Sequence, residues 1–317
     1  MHNSDAVWYV AAVRNICADD SVCSRRAIAR YFRAYNVLAS GLDPFYCPLQ
    51  LNTLRQSGWH TIVRERENVH NGGVALLVSP EWTVERIETG CEDVVCAEIT
   101  CSNASRTYTI IGTYIPYSSD IPHSIAVMHK IQQLYDTHDN AIILGDFNAH
   151  TGDIQERAVD IGLVPERKTE RQKRPDGRGY ILHDLLDRTG AVMTSGRKDG
   201  SAHQPSQLYT YINKGLKTQS LIDYIILSTD LYAHVTSQCN TEIHNNVVKT
   251  NHALTYITIK DTRKPTCRGR PARQVKLKRK RRNHAPPAPQ LVFEKYQLQM
   301  HADVRKRYKD ASSSAPA

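Results

Sequence analysis

The sequence predicts an α/β domain over roughly its first 260 residues, and three observations predict it. Short runs of β-branched, aromatic and aliphatic residues recur between turn formers. Stretches with apolar residues at helical spacing lie among those runs, and the mixture marks an α/β architecture. After Asp261 both patterns stop and the balance of charge changes sign.

Taken in chain order, the first helix is expected at "SRRAIARYFRAYN" (24–36), where Ala27, Ile28, Tyr31, Phe32 and Tyr35 share one face. Strands are expected at "GGVALLVS" (72–79), "DVVCAEITC" (93–101) and "YTIIGTYIP" (108–116). "IPHSIAVMHKIQQLYD" (121–136) reads as a helix, with Pro122 suited to its first turn and Ile125, Met128, Ile131, Leu134 and Tyr135 as its apolar stripe. The run "AIILGDF" (141–147) is again a strand. "GYILHDLLDRTG" (179–190) is a helix burying Ile181, Leu182, Leu185 and Leu186, with Gly190 as its cap. "LIDYIILS" (221–228) and "ALTYITI" (253–259) complete the set. Several of these runs are apolar on both faces, as in strands covered on two sides.

Composition sets the class. The 317 residues are 40% hydrophobic, enough for a large core. No run approaches the ~20 apolar residues of a membrane span. The start, "MHNSDAVWYV", lacks a basic region ahead of an apolar stretch, so a nuclear or cytoplasmic protein is expected rather than a secreted or membrane one. Eight scattered cysteines contain no Cys-x-x-Cys pair, which favours reduced thiols over disulfides or a zinc site.

The net charge of +9 is unevenly placed: residues 263–317 hold 16 basic and 3 acidic residues, leaving 25 and 29 before them. Within that tail, "RKPTCRGRPARQVKLKRKRR" (263–282) has eleven basic residues and no acid. Such a run repels itself into an extended state and suits a phosphate backbone or an import receptor, or else serves only as a solvated linker. The division expected is a domain at 1–261, a basic and proline-rich linker at 262–290, and a helix with a disordered end at 291–317.

Polar residues gather at strand ends. "AIILGDFNAH" ends its apolar run in Asp146, Asn148 and His150. Asp223 sits between Ile222 and Tyr224, His252 precedes the last strand, and Tyr114 closes "GTY". An acid among apolar neighbours is costly to bury ionised and unpaired. Asp223 therefore either caps a local turn or pairs with a histidine, and that pairing fixes a tautomer and leaves the other ring nitrogen for proton transfer. Asp146 would orient or deprotonate a water, and Asn148 would donate to a developing oxyanion.

In order and spacing, "NGGVALLV", "GTYIPYS", "GDFNAH", "IDYIILS" and "NHALTYI" resemble the endonuclease/exonuclease/phosphatase superfamily. The nearest branch in appearance is the endonuclease domain of LINE-type, non-LTR retrotransposons, together with the craniofacial development protein 2-like proteins. The resemblance runs from about residue 60 to 260, leaving the first ~50 residues divergent, and the basic tail resembles a spacer leading to a reverse transcriptase. The expectation is an endonuclease fragment without that reverse transcriptase. The resemblance implies a four-layer α/β sandwich, two packed mixed β-sheets flanked by helices, cleaving phosphodiesters with Mg²⁺ or Mn²⁺. It implies roles for Asp146 and Asn148 as the acid and amide of the "GDxN" motif, for Asp223 and His252 as the catalytic pair, and for Tyr114 as the contact to the scissile phosphate.

Departures accompany it. The family's last motif is Ser-Asp-His, and here it reads Thr250-Asn251-His252. Tyr9 stands where an asparagine is expected, and Pro44 stands at or near an expected metal-binding glutamate, with Asp43 the nearby acid. Mg²⁺ wants carboxylate oxygens, so Asp43 and Asn251 become the weak points of any metal site. The expected function is a nicking DNA endonuclease, with DNA as its partner and RNA as a further one. The alternative is a relic that binds nucleic acid through Lys276, Lys278, Arg279, Lys280, Arg281 and Arg282. A phosphoinositide, sphingolipid or RNA-tail substrate is a third reading, disfavoured by the basic tail.

Overall fold

The computed structural model describes residues 58–65, 73–101, 106–167, 174–197, 209–213, 218–241 and 252–260, together with the backbone of 7–14 and 37–42. The helix expected at 24–36, Asp43, Pro44, Asn251 and everything from 261 onward, including the basic run and the expected terminal helix, lie outside the described residues.

In chain order the elements are β1 (Val7–Arg14), β2 (Val37–Leu42), β3 (His60–Glu65), β4 (Gly73–Val78), β5 (Trp82–Ile87), β6 (Val94–Cys101), β7 (Thr107–Tyr114), α1 (Ile121–Thr137), β8 (Ala141–Asp146), α2 (Arg157–Asp160), α3 (Gly177–Thr189), β9 (Ala191–Met193), β10 (Tyr211–Asn213), β11 (Thr218–Ser220), β12 (Asp223–Ser228), α4 (Thr229–Tyr232), β13 (Val235–Thr241) and β14 (Leu254–Lys260). They form two six-stranded sheets, ordered β13-β14-β1-β2-β4-β3 and β5-β6-β7-β8-β12-β9, and a small ribbon of β10 and β11. Each large sheet is mixed: β1–β2 and β7–β8 are parallel, and their other neighbours run antiparallel. A parallel pair needs a crossover, and α1 supplies it between β7 and β8.

The sheets face each other across one apolar core. Ile62, Val74, Leu76, Val78, Ile257 and Ile259 of the first sheet cluster with Val95, Ile110, Ile142, Leu144, Ile225 and Leu227 of the second. Because side chains alternate, the intervening residues point away from this core, and they too are buried, as at Leu77, Ile111, Ile143 and Ile226. Both sheets are thus covered on two sides, the reason their strands read as continuous apolar runs. On the second sheet α1 and α3 pack against one another and against β6, β7 and β9.

Pro122 and Gly190 take the places expected of them, and an aspartate caps the start of each helix. The Asp120 carboxylate accepts from the His123 amide (2.8 Å) at the start of α1, with Pro122 in the first turn. Asp176 does the same for Gly179 (2.7 Å), and Gly190 ends α3 in the left-handed conformation at φ 67°. All five stripe residues of α1 and all four of α3 are buried. No helix among the described residues is long and apolar enough to cross a membrane.

A buried ion cluster fastens the edge of the second sheet. The Glu156 carboxylate accepts from Arg167 Nε (3.2 Å) and from the Met193 amide (3.0 Å), and lies 2.9 Å from Arg197 Nη2. Arg197 in turn donates to the carbonyls of Met193 (2.7 Å) and Pro165 (2.6 Å). Burial alone would raise the Glu156 pKa, but the two guanidiniums and the amide outweigh it and hold the carboxyl below its ordinary value. A depressed folded pKa adds stability that is complete above the unfolded value and is lost as pH falls through the folded one. Glu156→Gln should therefore cost about 3 kcal/mol in urea unfolding near neutral pH, since it leaves two buried cations uncompensated. It should also remove that acid-dependent contribution, seen as a flatter stability profile on acidification.

Candidate active site

Asp146 is the last residue of β8, and the sheet places Tyr114 of parallel β7 on one side of it and Asp223 of antiparallel β12 on the other. Laterally paired residues share a face. That face is the inter-sheet one, because Ile142 and Leu144, Ile225 and Leu227, and Ile110 occupy the same alternation and sit in the core. The carboxylates stand where the apolar row between the sheets runs out, yet Asp146 is only 2% exposed and Asp223 1%.

Backbone geometry holds them there. Gly145 has φ 152°, and a Cβ on it would fall 1.9 Å from the Thr113 carbonyl oxygen, so the "GD" step admits no other residue without displacing β7. Beyond Asp146 the chain turns tightly. Asp146 Oδ1 accepts the Asn148 amide (2.9 Å), and Asn148 Nδ2 donates to Asp146 Oδ2 (3.2 Å) and to the Ile115 carbonyl (2.9 Å). Asn148 adopts φ 45°, a left-handed conformation that asparagine tolerates better than most residues. Both hydrogens of its amide are engaged in holding Asp146 and the segment after β7, so in this conformation Asn148 positions the acid.

The histidine arrives from the other sheet. Residue 252 lies two positions before β14 of the first sheet, and its Nδ1 is 2.9 Å from Asp223 Oδ2 of the second. A carboxylate acceptor places the proton on Nδ1 and fixes the tautomer of the ring. His252 also forms a backbone bridge with Tyr211, whose ring meets the imidazole edge-on with centroids 5.0 Å apart. Asp223 is the first residue of β12 rather than an interior one, and its amide and that of Ile222 both donate to Thr210 Oγ1 (3.0 and 3.1 Å). One ligand atom each from Asp146, Asp223 and His252 lie within 4.8 Å of one another, a group that could hold a cation.

Arg178 was not among the residues the sequence singled out. It lies in the first turn of α3 and is buried, with Nη1 donating to the Asn148 carbonyl (3.3 Å) and Nη2 to the carbonyls of Tyr117 (2.8 Å) and Ser119 (2.6 Å). It clasps the turn after β8 to the turn after β7. Burial lowers its pKa from the ordinary value, and the carboxylates of Asp176 and Asp146 work against that shift. Gly179 follows because α3 begins against the same loop: a Cβ there would lie 1.9 Å from the His150 carbonyl oxygen. The only sequence signal was an arginine directly after the capping "DG" of a helix, one residue before a glycine.

Of the residues expected to form the site, Tyr114, Asp146, Asn148, Asp223 and His252 come together. Asp43, Asn251 and the tail residues Lys276 to Arg282 fall outside the described residues.

No protein-family model matches the chain, and no curated protein is significantly similar to it in sequence. Solved structures match throughout the domain. The endonuclease domain of TRAS1, a telomere-specific non-LTR retrotransposon, superposes with a TM-score of 0.55 at 13% identity, covering 81% of this chain and all of that one. The AP endonuclease LMAP from Leishmania major gives 0.57 at 10% identity over 82% of this chain and 89% of its own. A 3′ phosphatase from Neisseria, bound to a product DNA hairpin, gives 0.54 at 16% identity over 80% and 99%. The chain has the endonuclease/exonuclease/phosphatase fold. The two packed mixed sheets agree with the four-layer sandwich that the sequence implied.

The Thr210 hydroxyl is the acceptor on which the start of β12 depends. Thr210→Val keeps the shape and strips two buried amides of their partner, at about 1–3 kcal/mol for each. Urea unfolding should register that loss. The Nδ1–H signal of His252, read by long-range ¹H–¹⁵N correlation, should broaden as Asp223 loosens.

Proposed function

We propose that this chain is a divalent-metal-dependent phosphodiesterase that nicks one strand of DNA, with RNA as a further binding partner. The observation that carries the reading is the buried Asp223–His252 pair set beside Asp146 at the end of the inter-sheet core. The likeness in fold to a retrotransposon endonuclease domain and to DNA-processing phosphoesterases supports it. The order of the "GTYIP", "GDFN", "IDYI" and "NHAL" segments supports a retrotransposon origin.

The residues present fit a hard cation: two buried carboxylates on neighbouring strands repel one another at low dielectric, and a divalent ion removes that cost. Asp146 and Asp223 would hold Mg²⁺ or Mn²⁺, which when bound supplies positive charge to the phosphate and the leaving oxygen. Asp223 fixes the imidazole tautomer, and His252 Nε2 takes the proton from the attacking water. Asp146 shares in orienting that water, and Asn148 keeps Asp146 in place. Tyr114, one strand from Asp146, contacts the phosphate through its hydroxyl.

A second reading has its own observation. The amide at Asn251 and the proline at 44 replace carboxylates that the family resemblance calls for. A chain so depleted would bind nucleic acid through Lys276, Lys278 and Arg279 to Arg282 without cutting it.

Conversion of supercoiled plasmid to nicked circles in Mg²⁺ separates the two. The nuclease reading expects nicking by the full chain and a loss of about 10²–10⁴-fold in His252→Ala, the usual weight of general acid–base catalysis. Equal, inert behaviour of both proteins would leave the relic. Independently, removing 263–282 should lower the slope of log affinity against log salt by about 4–5, if roughly half of its eleven cations contact phosphates. Fluorescence anisotropy across a salt series measures that slope, and an unchanged slope would exclude the tail from the contact.

A further inference from the structure

Tyr117 is 81% exposed, and among the described residues it is the most exposed of the large hydrophobic side chains. An exposed aromatic on a loose loop would mean little. The backbone that carries this one is pinned. It occupies a corner of the turn closed by the Ser119 amide on the Pro116 carbonyl (3.1 Å), directly before the Asp120 cap of α1. Its own carbonyl and that of Ser119 are gripped by Arg178 Nη2, and the same guanidinium grips the carbonyl of Asn148. The Arg178 guanidinium carbon lies 5.9 Å from the centre of the Tyr117 ring. A single buried cation therefore fixes the backbone of Tyr117, three residues beyond Tyr114, to the turn that follows Asp146.

We infer that Tyr117 is a stacking platform for one unpaired nucleobase of the substrate strand at the rim of the site. The inference rests on the nucleic-acid reading above and adds its point of contact. A planar ring presented by a fixed turn offers a face to any base, because every base has a π-face, and its ordering cost is met before binding. The nearby guanidinium engages the ring by a cation–π contact and leaves most of its surface to solvent. Recognition of this kind tolerates sequence and favours a base that is frayed or single-stranded.

The test compares Tyr117→Phe, Tyr117→Trp, Tyr117→Leu and Tyr117→Ala in the full chain. Stacking expects Phe and Trp to keep KM for nicking within about threefold, and Leu and Ala to raise it about tenfold or more with kcat little changed. If Phe is as damaging as Ala, or Leu is as good as Phe, the ring is not stacking and the proposal falls. A second readout does not need catalysis. In the His252→Ala background, single-stranded oligonucleotides carrying 2-aminopurine should change fluorescence on binding, and adding Tyr117→Leu should abolish that change. Persistence of the signal in the double variant overturns the proposal even where the wild type nicks. A Tyr117-dependent signal from a protein that never nicks upholds the platform while the nuclease reading fails.

Discussion

The site depends on the register between β8 and β12. Antiparallel pairing sets Asp223 opposite Asp146, and both carboxylates then continue the rows of Leu144 and Ile225 on the inter-sheet face. A slip of one residue would turn Asp146 and Leu144 together to the opposite face and bury the wrong set. Register is held at several points: the Phe147 amide on the Ile222 carbonyl (3.0 Å), the Ile115 amide on the Asp146 carbonyl (2.9 Å), and the close approach of Gly145 to Thr113. Thr210 adds a lock on the other strand by accepting the two amides that lead into β12. What reads in the sequence as a polar cluster is the end of a core row whose phase these contacts set.

The central strands were legible because they are apolar on both faces. The runs expected at 72–79, 93–101, 108–116, 141–147, 221–228 and 253–259 correspond to β4, β6, β7, β8, β12 and β14 within one to two residues at each end. Strands with an exposed face were harder to see. β5, "WTVERI", buries only Trp82 fully and lies at a sheet edge, so its apolar residues are too few to signal a strand. β9, β10 and β11 have three residues each, shorter than any periodicity can register. The acids and the histidine were visible as polar residues beside apolar runs, where burial demands a reason. Arg178 was not, because its partners are three backbone carbonyls, and a carbonyl leaves no trace in the identity of the residues that contribute it.

Buried arginines recur in this domain as organisers of backbone. Arg178 joins the turns after β7 and β8, and Arg197 joins β9 to the segment ending at Pro165. Guanidinium suits this work because its fork of donors reaches several carbonyls at once and it keeps its charge when buried. Arg197 shares its charge with Glu156, whereas Arg178 faces a carboxylate of the candidate site. Its charge acts on Asp176 first and on Asp146 as well, from a side chain whose hydrogen bonds hold it in place.

The route by which His252 reaches Asp223 has a consequence for synthesis of the chain. The histidine sits just before β14, which lies between β13 and the N-terminal strand β1. An interior place in the first sheet is therefore filled by the last of the described strands, and the imidazole arrives with it. Domains emerge from the ribosome N-terminus first, so a nascent chain carries Asp146 and Asp223 before the imidazole that pairs with Asp223 has been made. The pair between the two sheets thus forms only once β14 is delivered, which couples completion of the candidate site to completion of the first sheet.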